Sequence, residues 1–183
     1  MRRRGGGQQN NLQATPGTNG GGIVIVKANT VNGNGFNINS CVVRNSGYYG
    51  ISVNGASNGF IQDSKIGVDN SGTTCQMNQS DGIDIQGGTS NQIIDNHIAC
   101  NGQNGIQLGS SDNNVIRGNI IGPLMGSCTF NGYRGVDIEG GSTGNIVGGT
   151  GAGQGNKISG NDYWGIEVKE VGSIGNIISG NSM

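Results

Sequence analysis

The chain has 183 residues, the length of one domain, and a net charge of −1, so its overall charge does not indicate a nucleic-acid or anionic-membrane partner. Hydrophobic residues make up only 32% of it and glycine fills 39 positions, a composition typical of disorder unless a repeat organises it. No apolar run approaches the ~18 residues of a membrane span. Arg2–Arg4 lead into Gly and Gln rather than an apolar segment, so we expect no signal peptide there.

Two parts are predicted along the chain. Residues 1–21 are rich in Gly, Gln, Asn and Thr without an apolar pattern, and we expect a flexible lead-in. A strong strand is predicted over 22–26, and residues 36–43 complete the first turn of a repeating coil. Residues 22–183 therefore form one predicted repeat domain.

The repeat is most regular between Ser80 and Ile121. A shift of 23 residues superimposes Ile83 on Ile106, Asn91 on Asn114, Ile93 on Ile116, Asn96 on Asn119 and Ile98 on Ile121. A helix repeats every 3.6 residues and a strand every two, so neither explains this period. Short alternating runs broken by Gly, Asn and Ser at such a period predict an all-β solenoid, a parallel β-helix with rungs of about 23 residues.

Each rung opens with a tetrad of glycine, apolar, polar and apolar residues. The tetrads are residues 50–53, 82–85, 105–108, 135–138 and 165–168, separated by steps of 32, 23, 30 and 30. The long steps are assigned to loop insertions at 68–81, 123–134 and 149–155. The first two leave from the same corner and predict either a binding edge or tolerated surface loops.

The last rung ends at 177–181 without an amphipathic cap. An uncapped end leaves strand edges unpaired. We expect either that the chain is a fragment of a longer solenoid or that another copy or partner covers this end.

Asn91, Asn96, Asn114 and Asn119 fall at turns, and asparagine tolerates left-handed backbone while its amide both donates and accepts hydrogen bonds. Stacked one rung apart, about 4.8 Å, they are predicted to form inward ladders; the alternative is that they are solvated turn residues. Cys41 falls in the same column as Asn96 and Asn119 and is predicted to be buried and structural.

No Cys-x-x-Cys pair occurs, so a zinc site is not expected. Cys75 and Cys128 each precede a tetrad at the same point of a long loop, and Cys100 lies on the rung between them. We predict a disulfide among these three residues, which implies an oxidising compartment.

The blocks GIDIQGGTSNQIIDNHIACNGQNGIQL (82–108) and GVDIEGGSTGNIVGGTGAGQGNKISGN (135–161) resemble the right-handed parallel β-helix repeats, pectate-lyase-like and NosD-like, of bacterial secreted and surface proteins. The resemblance covers roughly residues 36–181. It implies a right-handed β-helix, but this fold carries lyases, hydrolases, epimerases, phage adhesins and inert spacers.

The third tetrad position points outward and gives the row Ser52, Asp84, Gln107, Asp137, Glu167. Family members that act on polyuronates place acidic residues on this sheet face, so the resemblance implies Asp84, Asp137 and Glu167 as candidate catalytic residues. Asp137 and Glu167 lie one rung apart, and such a pair needs either a raised pKa or a cation between its members. Calcium is therefore the one candidate cofactor.

Arg134 and Lys169 are candidates to bind a substrate carboxylate, and Tyr133, Tyr163 and Trp164 to stack on sugar rings. The alternative is an ordinary exposed strand face on which Glu139 and Lys169 form a plain ion pair. His97, the sole histidine, is predicted to be a solvated surface residue.

Three functions follow. The first is a secreted or cell-surface β-helix module with a structural or carbohydrate-binding role. The second is a polysaccharide lyase, hydrolase or epimerase that uses the acidic row, and the third is a fibre or tail-spike component that assembles end to end.

Overall fold

The computed structural model describes the backbone of residues 23–26 and the complete residues 35–123 and 130–183. The predicted lead-in of residues 1–21, the middle of the 123–134 loop and Cys128 lie outside the described residues.

The described residues form seventeen short strands, three to each full rung. The first rung contains β1 (Ile23–Val26), β2 (Asn37–Asn39) and β3 (Val42–Val43), and the second contains β4 (Ile51–Asn54), β5 (Phe60–Gln62) and β6 (Lys65–Ile66). The third contains β7 (Ile83–Gln86), β8 (Gln92–Ile94) and β9 (His97–Ile98), and the fourth contains β10 (Ile106–Gly109), β11 (Val115–Arg117) and β12 (Ile120–Ile121). The fifth contains β13 (Val136–Glu139), β14 (Ile146–Gly148) and β15 (Lys157–Ile158), and the sixth contains β16 (Ile166–Val168) and β17 (Ile177–Ser179).

Strands of successive rungs pair in parallel and build three sheets along the coil. The first sheet has the order β1-β4-β7-β10-β13-β16, the second β2-β5-β8-β11-β14-β17 and the third β3-β6-β9-β12-β15. Ile83, Ile106, Val136 and Ile166 are direct partners in the first sheet, which confirms the predicted register and fold class. Across the described ranges, no helix is long and apolar enough to cross a membrane.

The core is a stack of aliphatic side chains along the axis of the coil. Ile83 and Ile85 of β7 are fully buried, as are Ile93 of the second sheet and Ile98 of the third. Because side chains of a strand alternate between its two faces, each strand contributes its apolar positions to this core and its polar positions to the surface.

Three ladders of asparagine line the corners of the coil. They are Asn91–Asn114–Asn145–Asn176, Asn96–Asn119–Asn156–Asn181 and Asn78–Asn101–Asn131–Asn161. In each step a side-chain oxygen accepts a hydrogen bond from the rung below, for example from the Asn96 backbone N–H to Asn119 Oδ1 at 2.9 Å. The ladders therefore satisfy buried backbone groups where the strands stop.

Cys41 begins the column that continues through Ser64 to Asn96, as the sequence indicates. It is a free thiol and only half-buried, so the prediction of a buried residue is wrong. The Cys41 side chain, which starts this column in the first rung, is small. Its Sγ lies near the surface, 3.4 Å from the Asn39 carbonyl oxygen.

The insertion between β6 and β7 is attached to the next rung by a disulfide between Cys75 and Cys100, whose Cα atoms are 5.5 Å apart. The loop leans over the third sheet, because Lys65 Nζ donates a hydrogen bond to the Asn70 carbonyl oxygen and Val68 packs with Ala99 and Cys100.

Candidate functional site

The outer surface of the first sheet presents three columns of side chains, which we call the outward face. They are Tyr49–Asp81–Asn104–Arg134–Trp164, Ser52–Asp84–Gln107–Asp137–Glu167 and Asn54–Gln86–Gly109–Glu139–Lys169. The second column comes from the polar position of each tetrad and the third from the residue after each tetrad, because the apolar positions between them point into the core.

Asp137 lies at the centre of an ion-pair network. Its Oδ2 is 3.0 Å from Lys169 Nζ and 3.4 Å from Arg134 Nη1, while Arg134 also pairs with Glu167 through Nε. Asp137 is only 1% exposed, since these long side chains cover it. Its pKa is raised by burial, although both cations act in the opposite direction.

Lys169 links this network to the third column. Its Nζ lies 2.6 Å from Glu139 Oε2, and Gln107 Nε2 donates to the other Glu139 oxygen at 2.7 Å. Asn104 Nδ2 in turn donates to Gln107 Oε1 at 3.2 Å. The middle rungs of the outward face are therefore fixed by side-chain hydrogen bonds.

Calcium does not fit between Asp137 and Glu167. The guanidinium of Arg134 lies against both carboxylates, so a cation of the chain itself already occupies this position. Over residues 35–123 and 130–183, no cluster of three or more His, Cys, Asp or Glu side chains is arranged to hold a metal ion.

Asp81 and Asp84 carry negative charge at the other end of the outward face. Burial raises the pKa of Asp81 to about 6, with a smaller contribution from the charge of Asp84, while the Asn104 backbone N–H at 2.8 Å opposes this. Burial also raises the pKa of Asp84, which accepts a hydrogen bond from Gln86 Nε2 at 2.8 Å. Burial, the Tyr48 hydroxyl and the charge of Asp84 raise the pKa of Tyr49 above its usual value.

Aromatic rings cluster beside the cationic end of the outward face. The centroids of Tyr133 and Tyr163 are 4.8 Å apart, and Trp164 meets Tyr163 edge-on at 5.6 Å. The guanidinium of Arg134 stacks 3.9 Å above the Tyr133 ring. Tyr163 and Trp164 are 60% and 54% exposed, so their rings are open to a ligand.

The structure brings the predicted residues Arg134, Asp137, Glu167 and Lys169 into one network, with Tyr133, Tyr163 and Trp164 beside it. Asp84 lies two rungs from Asp137 in the same column. The ion pair expected between Glu139 and Lys169 is present. Arg134 forms ion pairs with acidic residues of the chain itself.

The first column was not recognised from the sequence. Asp81 and Tyr49 each precede the glycine of a tetrad. They lie outside the strand, so its alternation of apolar and polar residues does not indicate which way their side chains point. The signal that identifies them is the register itself, since the residue before each tetrad glycine stacks on its counterpart in the next rung.

The prediction of a solvated His97 is wrong. His97 is 7% exposed, its Nε2 lies 3.3 Å from the Gly122 carbonyl oxygen, and burial lowers its pKa. Lys65 is its strand partner, and the insertion held by Lys65 leans over this part of the third sheet. The Gly122 contact comes from the next rung, and the local alternation of the strand does not indicate it.

No family model matches the chain, and no curated protein matches it. Crystal structures of the periplasmic alginate epimerase AlgG are similar to it, one with a TM-score of 0.55 at 17% identity and one, of a point mutant, with 0.53 at 18%. Both alignments cover 81% of this chain, which spans about two fifths (39% and 40%) of those proteins. The fold is thus a right-handed parallel β-helix.

Proposed function

We propose that the chain is a β-helix module that binds polysaccharide along the outward face. The observation that carries this proposal is the exposed ring pair Tyr163 and Trp164, which lies next to a fixed array of hydrogen-bonding side chains. Aromatic rings supply flat apolar surface to a sugar ring, and the neighbouring amides and carboxylates supply partners for hydroxyl groups.

The length of the outward face also favours a polymer over a single sugar. Equivalent side chains recur once per rung, about every 4.8 Å, and the three columns run through five rungs. A linear ligand that lies along the columns meets polar or charged side chains at every rung, so several weak contacts add to a useful affinity.

An extracytoplasmic location fits this role. The Cys75–Cys100 disulfide is a bond that persists in oxidising compartments. Similar folds include a periplasmic epimerase of alginate, an enzyme that meets polysaccharide outside the cytoplasm.

Binding of soluble oligosaccharides, followed by the fluorescence of Trp164, tests the proposal. We expect saturable binding and at least a tenfold loss of affinity, about 1.4 kcal/mol, in Trp164→Ala with calorimetric detection. Phe60→Ala is the matched control, because Phe60 is a partly exposed aromatic residue on the second sheet. Equal losses in both variants, or no binding to any member of a neutral, acidic and basic panel, contradict the proposal.

An enzyme acting on polysaccharide is the second candidate, favoured by Asp137 Oδ1, a buried carboxylate oxygen that lacks a hydrogen-bond partner in the described residues. Asp84 and Glu167 are the other predicted acidic residues of this column. Analysis of oligosaccharide products, with and without calcium, distinguishes lyase, hydrolase or epimerase activity from binding. Turnover that is unchanged in Asp84→Asn and Asp137→Asn excludes these residues as catalytic.

A further inference from the structure

We propose that the outward face selects a positively charged polysaccharide, a polymer of amino sugars whose ammonium groups bind among Asp81, Asp84 and Asp137. This inference rests on the proposed polysaccharide-binding function and names the chemical class of its ligand. It is the opposite of the charge preference implied by resemblance to enzymes of polyuronates.

The charge balance of the outward face is the first argument. In the described parts of its three columns, five carboxylates, Asp81, Asp84, Asp137, Glu139 and Glu167, face two cations, Arg134 and Lys169. Both cations are paired with Asp137, Glu139 and Glu167. Asp81 and Asp84 therefore have only neutral hydrogen-bond donors, from Asn104, Gln86 and Ser52, among the residues described.

Asp137 supplies the second, independent argument. Both cations approach Oδ2, whereas Oδ1 is buried without a hydrogen-bond partner in the ranges 35–123 and 130–183. A buried acceptor left unpaired costs about 1–3 kcal/mol, more when it is charged. An ammonium group offers three donors and a positive charge, so it satisfies this oxygen better than a neutral hydroxyl group.

The electrostatics of the three aspartates agree with an unbalanced negative charge. Burial is the main reason that the pKa values of Asp81, Asp84 and Asp137 are raised, and neighbouring carboxylates contribute in the same direction. A cation bound among them lowers these pKa values. A polyuronate adds further carboxylates to the same surface and is repelled.

The spacing also suits such a polymer. Asp84 and Asp137 stand in one column two rungs apart, roughly 10 Å, with the amide of Gln107 between them. In an extended β-1,4-linked chain, amino groups on the same side recur once per disaccharide, a repeat of similar length. Amino groups of alternate sugars therefore reach Asp84 and Asp137, while a sugar ring nearer the cationic end reaches Trp164.

Three hexasaccharides of equal length test the inference on the unaltered protein by calorimetry: β-1,4-linked glucosamine, its fully N-acetylated form and an oligomer of uronic acid. The titrations run from mildly acidic to neutral pH, because the amino groups must be protonated while Asp81, whose pKa is raised to about 6, must be ionised. We expect the glucosamine hexamer to bind at least tenfold more tightly than the acetylated hexamer and the uronate hexamer not to bind. The preference should weaken as salt is added, because screening reduces the attraction between the ammonium groups of the ligand and the carboxylates of the protein.

Asp84→Asn assigns the preference to a residue, since asparagine keeps the acceptor for Gln86 and removes only the charge. We expect this variant to lose the tenfold preference, so that it binds the glucosamine and acetylated hexamers with similar affinity. Asp95→Asn is the matched control, because Asp95 is an exposed carboxylate at a corner outside the outward face.

Equal affinity for the glucosamine and acetylated hexamers, or tighter binding of the uronate hexamer, overturns the inference and leaves the proposed function standing. Failure of all three to bind removes both. The comparison of the three hexamers uses the unaltered protein, so it remains decisive even if Asp84→Asn fails to fold.

Discussion

A single ladder asparagine satisfies groups of three rungs at once. Asn119 Nδ2 donates to the Ile93 carbonyl oxygen at 2.9 Å and to Asn156 Oδ1 at 3.0 Å. Its Oδ1 accepts from the Asn96 backbone N–H at 2.9 Å. No aliphatic residue can replace these contacts, so the ladders select the amide by chemistry as well as by shape.

Asn119→Ala should lower the free energy of unfolding by on the order of 3 kcal/mol, because it leaves at least two buried backbone groups unpaired. Equilibrium denaturation in urea measures this loss. Asn54→Ala, at an exposed strand position, is the control and should change stability by less than about 0.5 kcal/mol. Similar losses in both variants mean that the ladder contributes no more than a surface asparagine.

Asp81 makes stability depend on pH in an unusual direction for a carboxylate. Its pKa is raised from 3.8 to about 6, so between these values the folded state binds more protons than the unfolded state. The free energy of unfolding should therefore fall as pH rises from about 4 to about 6, by ~2–3 kcal/mol from this residue, and stay low above that.

Asp81→Asn should raise stability at neutral pH and flatten the pH profile, since the amide oxygen still accepts from the Asn104 N–H. Denaturation curves at several pH values measure both effects. Part of the slope should remain, because the pKa values of Asp84 and Asp137 are also raised. If the profile of Asp81→Asn matches that of the unaltered protein, Asp81 is not the source of the slope.

The orientation of a side chain could be predicted well where a rung repeats and poorly where a loop intervenes. The alternation in each tetrad correctly placed Asp84 and Asp137 on the outward side. It did not indicate that long neighbours such as Arg134 and Lys169 bury Asp137, because cover by flexible side chains depends on which pairs form across rungs.

At the scale of elements, the rungs are nearly uniform and the insertions differ. The position of the 68–81 insertion follows from the 32-residue step between tetrads, since the strands on either side keep their register. Its path does not follow from the step length. The contacts of Lys65 and Val68 direct it over the third sheet, and the local sequence pattern does not indicate such contacts.

The Cys75–Cys100 disulfide should stabilise this insertion, because it closes a segment of the chain with a sequence separation of 25. Cys75→Ser should lower the free energy of unfolding by about 2–4 kcal/mol under oxidising conditions. With reductant present, the variant and the unaltered protein should have equal stability. Cys41→Ser, at the free thiol, is the control and should behave alike with and without reductant.

Peptide mapping without reduction gives a direct check of the same bond. The fragments that contain Cys75 and Cys100 should remain joined, while Cys41 is alkylated. Alkylation of both Cys75 and Cys100 in the native, unreduced protein contradicts the pairing.

At the scale of the whole molecule, each rung protects the next, and within the described residues the sixth rung packs against another rung on one side only. β16 and β17 stand at the ends of their sheets. Val168 and Ile178 continue the core columns of Ile138 and Val147, yet they are 38% and 44% exposed. Core side chains and unpaired strand edges therefore form one apolar surface at this end of the coil.

Such a surface should drive concentration-dependent association of the chain, because burial of apolar area and pairing of open strand edges both favour a further layer. Light scattering over a wide concentration range should show a rising mean mass. Substituting Val168→Lys and Ile178→Lys together should hold the protein as a monomer, since a buried lysine at each core column opposes stacking. Phe60→Lys, on a side surface of the second sheet, should associate as the unaltered chain does. A constant monomer mass for the unaltered chain at millimolar concentration means that this apolar end does not bind a second copy.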